Sequence, residues 1–482
     1  MRISRLTPVL GFLFVAVGTA MLSAVVVSLL YQDAAVLPLL TSSLLTIGVG
    51  MLCISLQSAT RDELTIREGF AIVSLGWMIV PVFGSLPYLF TGAVGSFTDA
   101  YFETISGFTT TGASIILDVE KLPNGLLFWR SLTHWLGGMG IIVLSLAILP
   151  MLGMGGMQLY KAEVGGPSKD KLTPRVAETA RLLWGVYVLL TVVEIILLVL
   201  GEMPLFDAIC HTFATVATGG FSIKNASIAF YNSAYIDGVI TVFMFLSGTN
   251  FALHYAALHG NVRRYIRNQE FLYYLSVFAI ATFVVTGVNA ASNYAGDVFA
   301  SFRYSAFNVA SIMSCTGFAT ADFALWSPLG QTVLLLLMFA GGCAGSTAGG
   351  MKNVRVLLML KAIFGQFKRL LFPRAVVPVR LDGRMVGDEI LVTVGGFILL
   401  YLSIFIVGTL MLSETGLDIV TAASAVASCL GGVGPGLGSV GPMSNYAHLS
   451  DLAKWVLDAC MLLGRLEIYT LIVLFSSTFW KK

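Results

Sequence analysis

Along the chain, apolar runs of twenty or more residues alternate with shorter stretches in which Gly, Thr and Ser interrupt the hydrophobic pattern. Runs of that length match the ~20 residues a helix needs to span a bilayer. Two come first, at 6–31 and 35–58, followed by a charged loop holding Arg61, Asp62, Glu63, Arg67 and Glu68. The first is too long for a signal peptide and reads as a retained helix. One pattern then runs four times: long apolar helix, short amphipathic helix, Gly-containing turn, long apolar helix. Copy one places these at 69–91, 97–108, 109–114 and 129–152; copy two at 179–201, 205–217, 218–222 and 232–259. Copy three uses 271–290, 299–313, 314–318 and 328 to about 360; copy four uses 389–412, 417–429, 430–438 and 450–478. The units this predicts are a leading pair at 1–68 and repeats at 69–178, 179–268, 269–388 and 389–482.

The turns align on one glycine. Thr109-Thr110-Thr111-Gly112-Ala113 matches Ala217-Thr218-Gly219-Gly220-Phe221, Ser314-Cys315-Thr316-Gly317-Phe318 and Gly431-Gly432-Val433-Gly434-Pro435. The aligned glycines are 108, 97 and 117 residues apart, too long for a solenoid repeat and suited to a module duplicated around an axis. A single polar turn of this kind is either an ordinary re-entrant turn or backbone laid open toward a pore. Non-helical backbone at membrane depth survives only where protein or a water-filled cavity covers it. Four copies favour the pore.

Composition bounds the class. Of 482 residues, 57% are hydrophobic and 11% charged, against roughly 25% charged in soluble domains. The expectation is an all-α polytopic membrane protein. With the N-terminus cytoplasmic and all four turns re-entrant from outside, 22 of the 28 Lys and Arg fall in cytoplasmic segments, at 1–5, 59–68, 153–181, 260–270, 351–388 and 479–482. That bias is the positive-inside pattern, and it puts both termini in the cytoplasm. Lys121, Arg130, Lys224, Arg303 and Lys454 lie outside, and Arg465 lies within a span. Outer acids, including Asp33, Asp99, Asp118, Glu120, Asp297 and Asp418, are either solvated loop residues or together raise cation concentration at an outer mouth. The six cysteines sit singly and read as buried thiols, with no metal-type pair. The five histidines are scattered and suggest no metal site. No loop carries a catalytic constellation or nucleotide motif, so no enzyme, covalent cofactor or nucleic-acid partner is expected.

Four turns around one axis present rings of carbonyl oxygens to a dehydrated cation. Gly permits the dihedrals this needs, and the short helices aim their partially negative C-terminal ends at the centre. The modules, with Ser106-Gly-Phe-Thr-Thr-Thr-Gly112, His134-Trp-Leu-Gly-Gly-Met-Gly140, Thr215-Val-Ala-Thr-Gly-Gly-Phe221, Ser314-Cys-Thr-Gly-Phe318 and Val433-Gly-Pro-Gly436, resemble the TrkH/KtrB/HKT superfamily of potassium transporters over essentially the whole chain. The two leading helices and the long loop after copy one are similar to the bacterial TrkH branch. The resemblance implies a potassium filter of Thr110, Thr111, Gly112, Thr218, Gly219, Gly220, Cys315, Thr316, Gly317, Gly432, Val433 and Gly434, with K+ as the bound and transported ion. In plant relatives a Ser at the first filter glycine goes with sodium selectivity; Gly112 stands there in this chain. Copy four departs most from the pattern. The resemblance also implies multi-pass location in the bacterial inner (cytoplasmic) membrane, a homodimer, and a cytosolic ring of nucleotide-binding TrkA subunits. Segments 153–181 and 351–388 are then either its docking surface or attracted to lipid headgroups.

Ala340-Gly-Gly-Cys-Ala-Gly-Ser-Thr-Ala-Gly-Gly350 falls about twelve residues, or ~18 Å, into the second helix of copy three, near the bilayer middle. It is either close helix packing on small residues or an unwound loop below the turns. The family's intramembrane gating loop lies in its third repeat, which gives Gly341, Gly342, Gly345, Ser346, Thr347, Gly349 and Gly350 as a gate. Arg465 sits at a comparable depth, where a charge faces a cavity or a partner. Glu467 is a poor partner for it, because residues two apart on a helix do not face each other. Glu194 and Asn250 read as buried hydrogen-bonding braces rather than ion ligands. Glu103 and His211, at equal offsets from their glycines, read as braces behind the turns. The competing transport class is a carrier, including a symporter coupled to H+ or Na+ or a sodium-permeable relative. Inverted repeats would favour a carrier, and these copies run in one orientation.

Overall fold

The computed structural model describes residues 3–56, 66–147, 172–294 and 296–480. The loop residues Arg61, Asp62 and Glu63 and most of the expected docking segment 153–181 lie outside them. The leading helices, Ile3–Tyr31 and Val36–Ser55, form an antiparallel hairpin. Glycine lets their backbones meet: a methyl at Gly11 would lie 2.7 Å from the Gly50 carbonyl, and one at Gly50 2.8 Å from that of Gly11. Asp33 accepts from Ser28 and Ala35 in the connection and from Gly125 N at 2.8 Å, which fastens the hairpin to copy one.

The first helices of the four copies are Ile66–Gly84 (continued by Leu86–Phe90), Leu172–Leu200, Gln269–Ser292 and Asp388–Glu414. Together with the leading pair they are the six described helices long and apolar enough to cross a membrane. The short helices are Phe97–Phe108, Leu205–Val216, Val298–Met313 and Ile419–Gly431. Several outer acids have local duties at their N-termini. Asp297 and Asp418 accept the N–H of Ala300 and Thr421 as N-caps, and Asp99 and Asp207 sit in first turns, where the helix dipole favours negative charge.

The second helices depart from expectation. That of copy one starts earlier, at Asn124 just after Pro123, and runs to Ala147. That of copy two is bent by 103° between Ala234–Ser247 and Phe251–Leu258. In copy three it is interrupted between Pro328–Ala340 and Asn353–Leu371. In copy four the expected helix to 478 ends at Arg465, where Glu467 and Ile468 take φ of 58° and 48° and short turns follow. Helices that flank a central axis carry Gly and polar residues there, which lowers their hydropathy and their resistance to breaking. Glycine also brings them close to the short helices. A Cβ at Gly137 would strike the carbonyl of Phe108, and one at Gly464 that of Leu430, the same contact in copies one and four. After the second helix of copy three, a two-stranded hairpin pairs Arg380–Leu381 with Arg384–Met385.

Candidate functional site

The four turns close into a ring. A Cβ at Gly112 would collide with the carbonyl oxygen of Gly219, one at Gly220 with that of Thr316, and one at Gly317 with that of Val433. At Gly434 it would lie 2.6 Å from the carbonyl oxygen of Thr111, which completes the circuit. Each glycine thus faces the carbonyl one position earlier in the next copy, in the order one, two, three, four, one. The backbone repeats as closely. Thr110, Thr218, Cys315 and Gly432 have φ of 52°, 55°, 60° and 71°, and Gly112, Gly220, Gly317 and Gly434 have 82°, 78°, 85° and 100°. The residue between each pair has negative φ, so handedness alternates and successive carbonyls turn to one side instead of opposite sides. Positive φ is a strained state for β-branched Thr and persists only where the surroundings hold it. The agreement at Gly432 and Gly434 puts copy four in the register expected from sequence.

Polar contacts hold the ring from behind. Glu103 is fully buried; it accepts from Ser114 Oγ at 3.0 Å and Ile115 N at 2.9 Å and pairs with Arg130 at 2.7 Å. Arg130 also donates to Ser222 O at 2.7 Å in copy two. His211 contacts Ser222 Oγ at 3.0 Å, so both residues expected as braces support the strand after their glycine. Asn308, nine residues before Gly317, does the same for copy three by donating to Thr320 Oγ1 at 3.2 Å, a third instance of the offset that the sequence reading passed over. His134 joins copies one and two: its Nδ1 lies 2.7 Å from Gly107 O, and its Nε2 accepts from Phe221 N at 3.1 Å. Tyr446 joins four and one, donating its hydroxyl to Gly434 O at 2.7 Å and its N–H to Ser114 O at 2.8 Å. Four of the cations expected outside, Arg130, Lys224, Arg303 and Lys454, are paired, with Glu103, Asp207, Asp237 and Asp99 respectively. The last two pairs tie copy three to two and copy four to one. At the half-buried Asp118, hydrogen bonds from Asn225 and Lys121 hold the carboxyl below the usual range.

The Gly-rich segment is an irregular loop directly below the ring. Gly341, Gly345 and Gly350 have φ of 69°, 75° and 74°. Gly349 packs so that a Cβ would strike Gly431 O, at the end of copy four's short helix. Thr347 Oγ1 donates to Val216 O at 3.0 Å, at the end of copy two's short helix, and lies 3.2 Å from Ser247 O. Copies two and four flank copy three in the ring, so its loop lies against the ends of both neighbours' short helices. The bend in copy two is stitched to it: Cys343 N donates to Gly248 O at 2.8 Å and Phe251 N to Gly345 O at 3.0 Å. Arg465 reaches the loop from copy four, donating to Thr347 O at 2.8 Å and to Gly137 O of copy one at 3.0 Å. Glu467 pairs instead with Arg355, at 2.5 Å.

Two sequence readings need correction. Asn250 is an N-cap at the bend, accepting from Ala252 N at 2.9 Å, where a brace within an unbroken span was expected. Glu194 is fully buried as expected with the Thr215 side chain beside it, but the Thr215 hydroxyl donates to His211 O at 2.8 Å and neither carboxyl oxygen completes a hydrogen bond among the described residues, so the expected brace is at best weak. The thiols of Cys210, Cys315, Cys343, Cys429 and Cys460 are free and buried, while Cys53 is half-buried. Lys352 and Arg355, expected in the basic cytoplasmic segment 351–388, are instead buried beside the loop, as are Asn353 and Glu270, for which the sequence suggested no role.

A family model described as "Cation transport protein", TrkH, matches residues 40–482. The Trk system potassium uptake protein TrkH of Salmonella typhimurium is 40% identical over 485 residues, covering 100% of both chains. TrkG of the same system in Escherichia coli is 37% identical over 478 residues, with 98% of each chain covered. The crystal structure of the potassium transporter TrkH from Vibrio parahaemolyticus superposes with a TM-score of 0.92 at 38% identity, covering 100% of both chains.

Proposed function

This chain belongs to the TrkH family of cation transport proteins and is a potassium uptake protein, and we propose that the ring of four turns is its selectivity filter and the Gly341–Gly350 loop with Arg465 its gate. The observation that carries the filter is the closed circuit of glycine-to-carbonyl contacts with alternating φ. Backbone carbonyls fixed on one side, with short-helix C-terminal ends behind them, replace the hydration shell of a cation. Val433 takes part in the ring through its backbone alone, like Thr111, Gly219 and Thr316. The loop passes below, between copies two and four, and the Arg465 guanidinium both fastens it through Thr347 and places a positive charge in the cation's path.

The pore units are 69–178, 179–268, 269–388 and 389–482, after a leading pair at 1–68. In the inner membrane of a bacterium, both termini and the hairpin at 380–385 face the cytoplasm, following the bias of the basic segments. The protein works as a homodimer on a cytosolic TrkA-type nucleotide-binding ring, with segment 351–388 offering the contact surface. The test is ion flux into liposomes holding the purified protein. Gly112→Ser lowers the potassium over sodium permeability ratio; an unchanged ratio would falsify the filter assignment. Arg465→Ala raises basal flux and leaves the ratio alone.

A further inference from the structure

One side chain from outside the loop gathers both of its limbs. Glu270 is the second residue of helix Gln269–Ser292 and is 2% exposed. Its Oε1 accepts the N–H of Ala344, within the loop, at 2.6 Å and that of Val354, in the first turn of the helix beyond the loop, at 3.1 Å. The limbs also bind each other: Asn353 N donates to Gly342 O at 3.0 Å, Asn353 Nδ2 to Gly341 O at 2.6 Å, and Met351 N to Phe339 O at 3.0 Å. The loop is therefore a closed unit whose base is pinned by one carboxylate. Val354 N lies at a helix N-terminus, where an anion is favoured.

The residues beside Glu270 are held by the hairpin. Asp382, at the hairpin's turn with φ 49°, accepts Gln269 N at 2.8 Å and Asn268 Nδ2 at 3.3 Å. Lys361 Nζ donates to Gln269 Oε1 and, at 2.7 Å, to Arg380 O. One peptide unit thus separates the point the hairpin grips from the carboxylate that holds the loop.

We propose that Glu270 is the positioning residue that keeps the loop across the pore, and that displacement of the hairpin Arg380–Met385 by a bound partner releases it by shifting the start of helix Gln269–Ser292. The proposal rests on the reading of the loop as the gate. Without the carboxylate, two buried N–H groups lose a charge-assisted acceptor in the closed arrangement. A displaced loop offers those groups to pore water, so the balance moves toward open.

The experiment is partner-free potassium flux into liposomes containing the full-length protein, with the potassium over sodium ratio measured alongside. Glu270→Ala raises basal flux about tenfold or more, the effect on an equilibrium of one lost charge-assisted hydrogen bond, and leaves the ratio unchanged. Glu270→Gln keeps an oxygen that accepts the same two N–H groups and restores flux toward the parent's. If Glu270→Ala does not assemble, Glu270→Asp, too short to reach both, gives the same rise. Asp382→Ala also raises flux, and in the double variant with Glu270→Ala adds nothing further, because it acts through the same residue. Arg465→Ala distinguishes the clamp from the gate. A leak there without one at Glu270 overturns the clamp and leaves the gate standing; no leak at either overturns the gate. Full additivity of Asp382→Ala overturns the hairpin's role, and a fallen selectivity ratio in Glu270→Ala overturns the specific action of that residue.

Discussion

At the scale of single residues, the ring glycines are held to their identity by two constraints at once. Gly112 needs φ of 82°, and its missing Cβ is where the carbonyl oxygen of Gly219 sits. Any side chain must push that oxygen outward, so the Gly112→Ser effect on selectivity arises by displacement of the neighbouring copy's carbonyl as much as by strain in its own. The same argument makes Gly220→Ala and Gly317→Ala equivalent to it; a substitution that altered selectivity at one position and not at the others would break the fourfold reading. Glu194 gives a prediction of opposite sign. The Thr215 hydroxyl beside its buried carboxyl donates to His211 O, no other described residue bonds either carboxyl oxygen, and burying a polar group so poorly paired costs about 1–3 kcal/mol. Glu194→Leu therefore leaves flux unchanged and raises the thermal midpoint of the purified protein, as read by a thermal-shift scan. A loss of flux instead would mean that the carboxyl serves transport.

At the scale of elements, ion pairs between copies fix how neighbours meet. Asp237 with Arg303 and Asp99 with Lys454 are largely buried and join copies two to three and four to one. Removing one partner of a buried pair strands the other and costs about 3–5 kcal/mol, toward the low end here because Asp99 and Arg303 are partly solvated. Lys454→Ala should therefore lower thermal stability sharply, and Lys454→Ala with Asp99→Ala should recover part of the loss. The loop is the second element to test. Gly349 packs against Gly431 O with no room for a Cβ, so Gly349→Ala cannot seat the loop under copy four and leaks potassium with normal selectivity. Deleting Gly345–Thr347 removes the Arg465 contact and does the same. Tight closure in both variants would place the constriction elsewhere in the pore.

For the whole molecule, the basic residues of segment 351–388 divide by what they already hold. Lys361 is engaged with Gln269 and Arg380 and belongs to the hairpin's anchorage, whereas Lys368 and Arg369 are exposed near the end of helix Asn353–Leu371. Arg369 donates to Val377 O at 3.2 Å and still presents its charge to solvent. Charge reversal at Lys368 and Arg369 should weaken co-purification with a nucleotide-binding ring without changing basal flux or selectivity. Reversal at Lys361 should raise basal flux, because it unfastens the hairpin from helix Gln269–Ser292. Unaltered binding after the first pair of changes removes this surface as the docking site.

The number of copies, the register of their glycines, the interruption after Ala340 and the intramembrane Arg465 could all be read from the sequence, because each is written locally. Hydropathy reports length and burial one stretch at a time, and glycine marks positive φ or close approach wherever it stands. The bend at Gly248-Thr249-Asn250 and the break at Glu467-Ile468 were not legible, since both lie in apolar stretches that could continue as helix in isolation. They break because neighbouring copies supply partners there: the loop of copy three at the first, and Arg355 at the second. The same holds for charge. That Arg130, Arg303 and Lys454 face acids of particular copies, and that Glu270 holds the loop, depend on segments up to hundreds of residues apart. A side chain's own chemistry fixes what it needs; only the packing of the four copies around one axis decides what it meets.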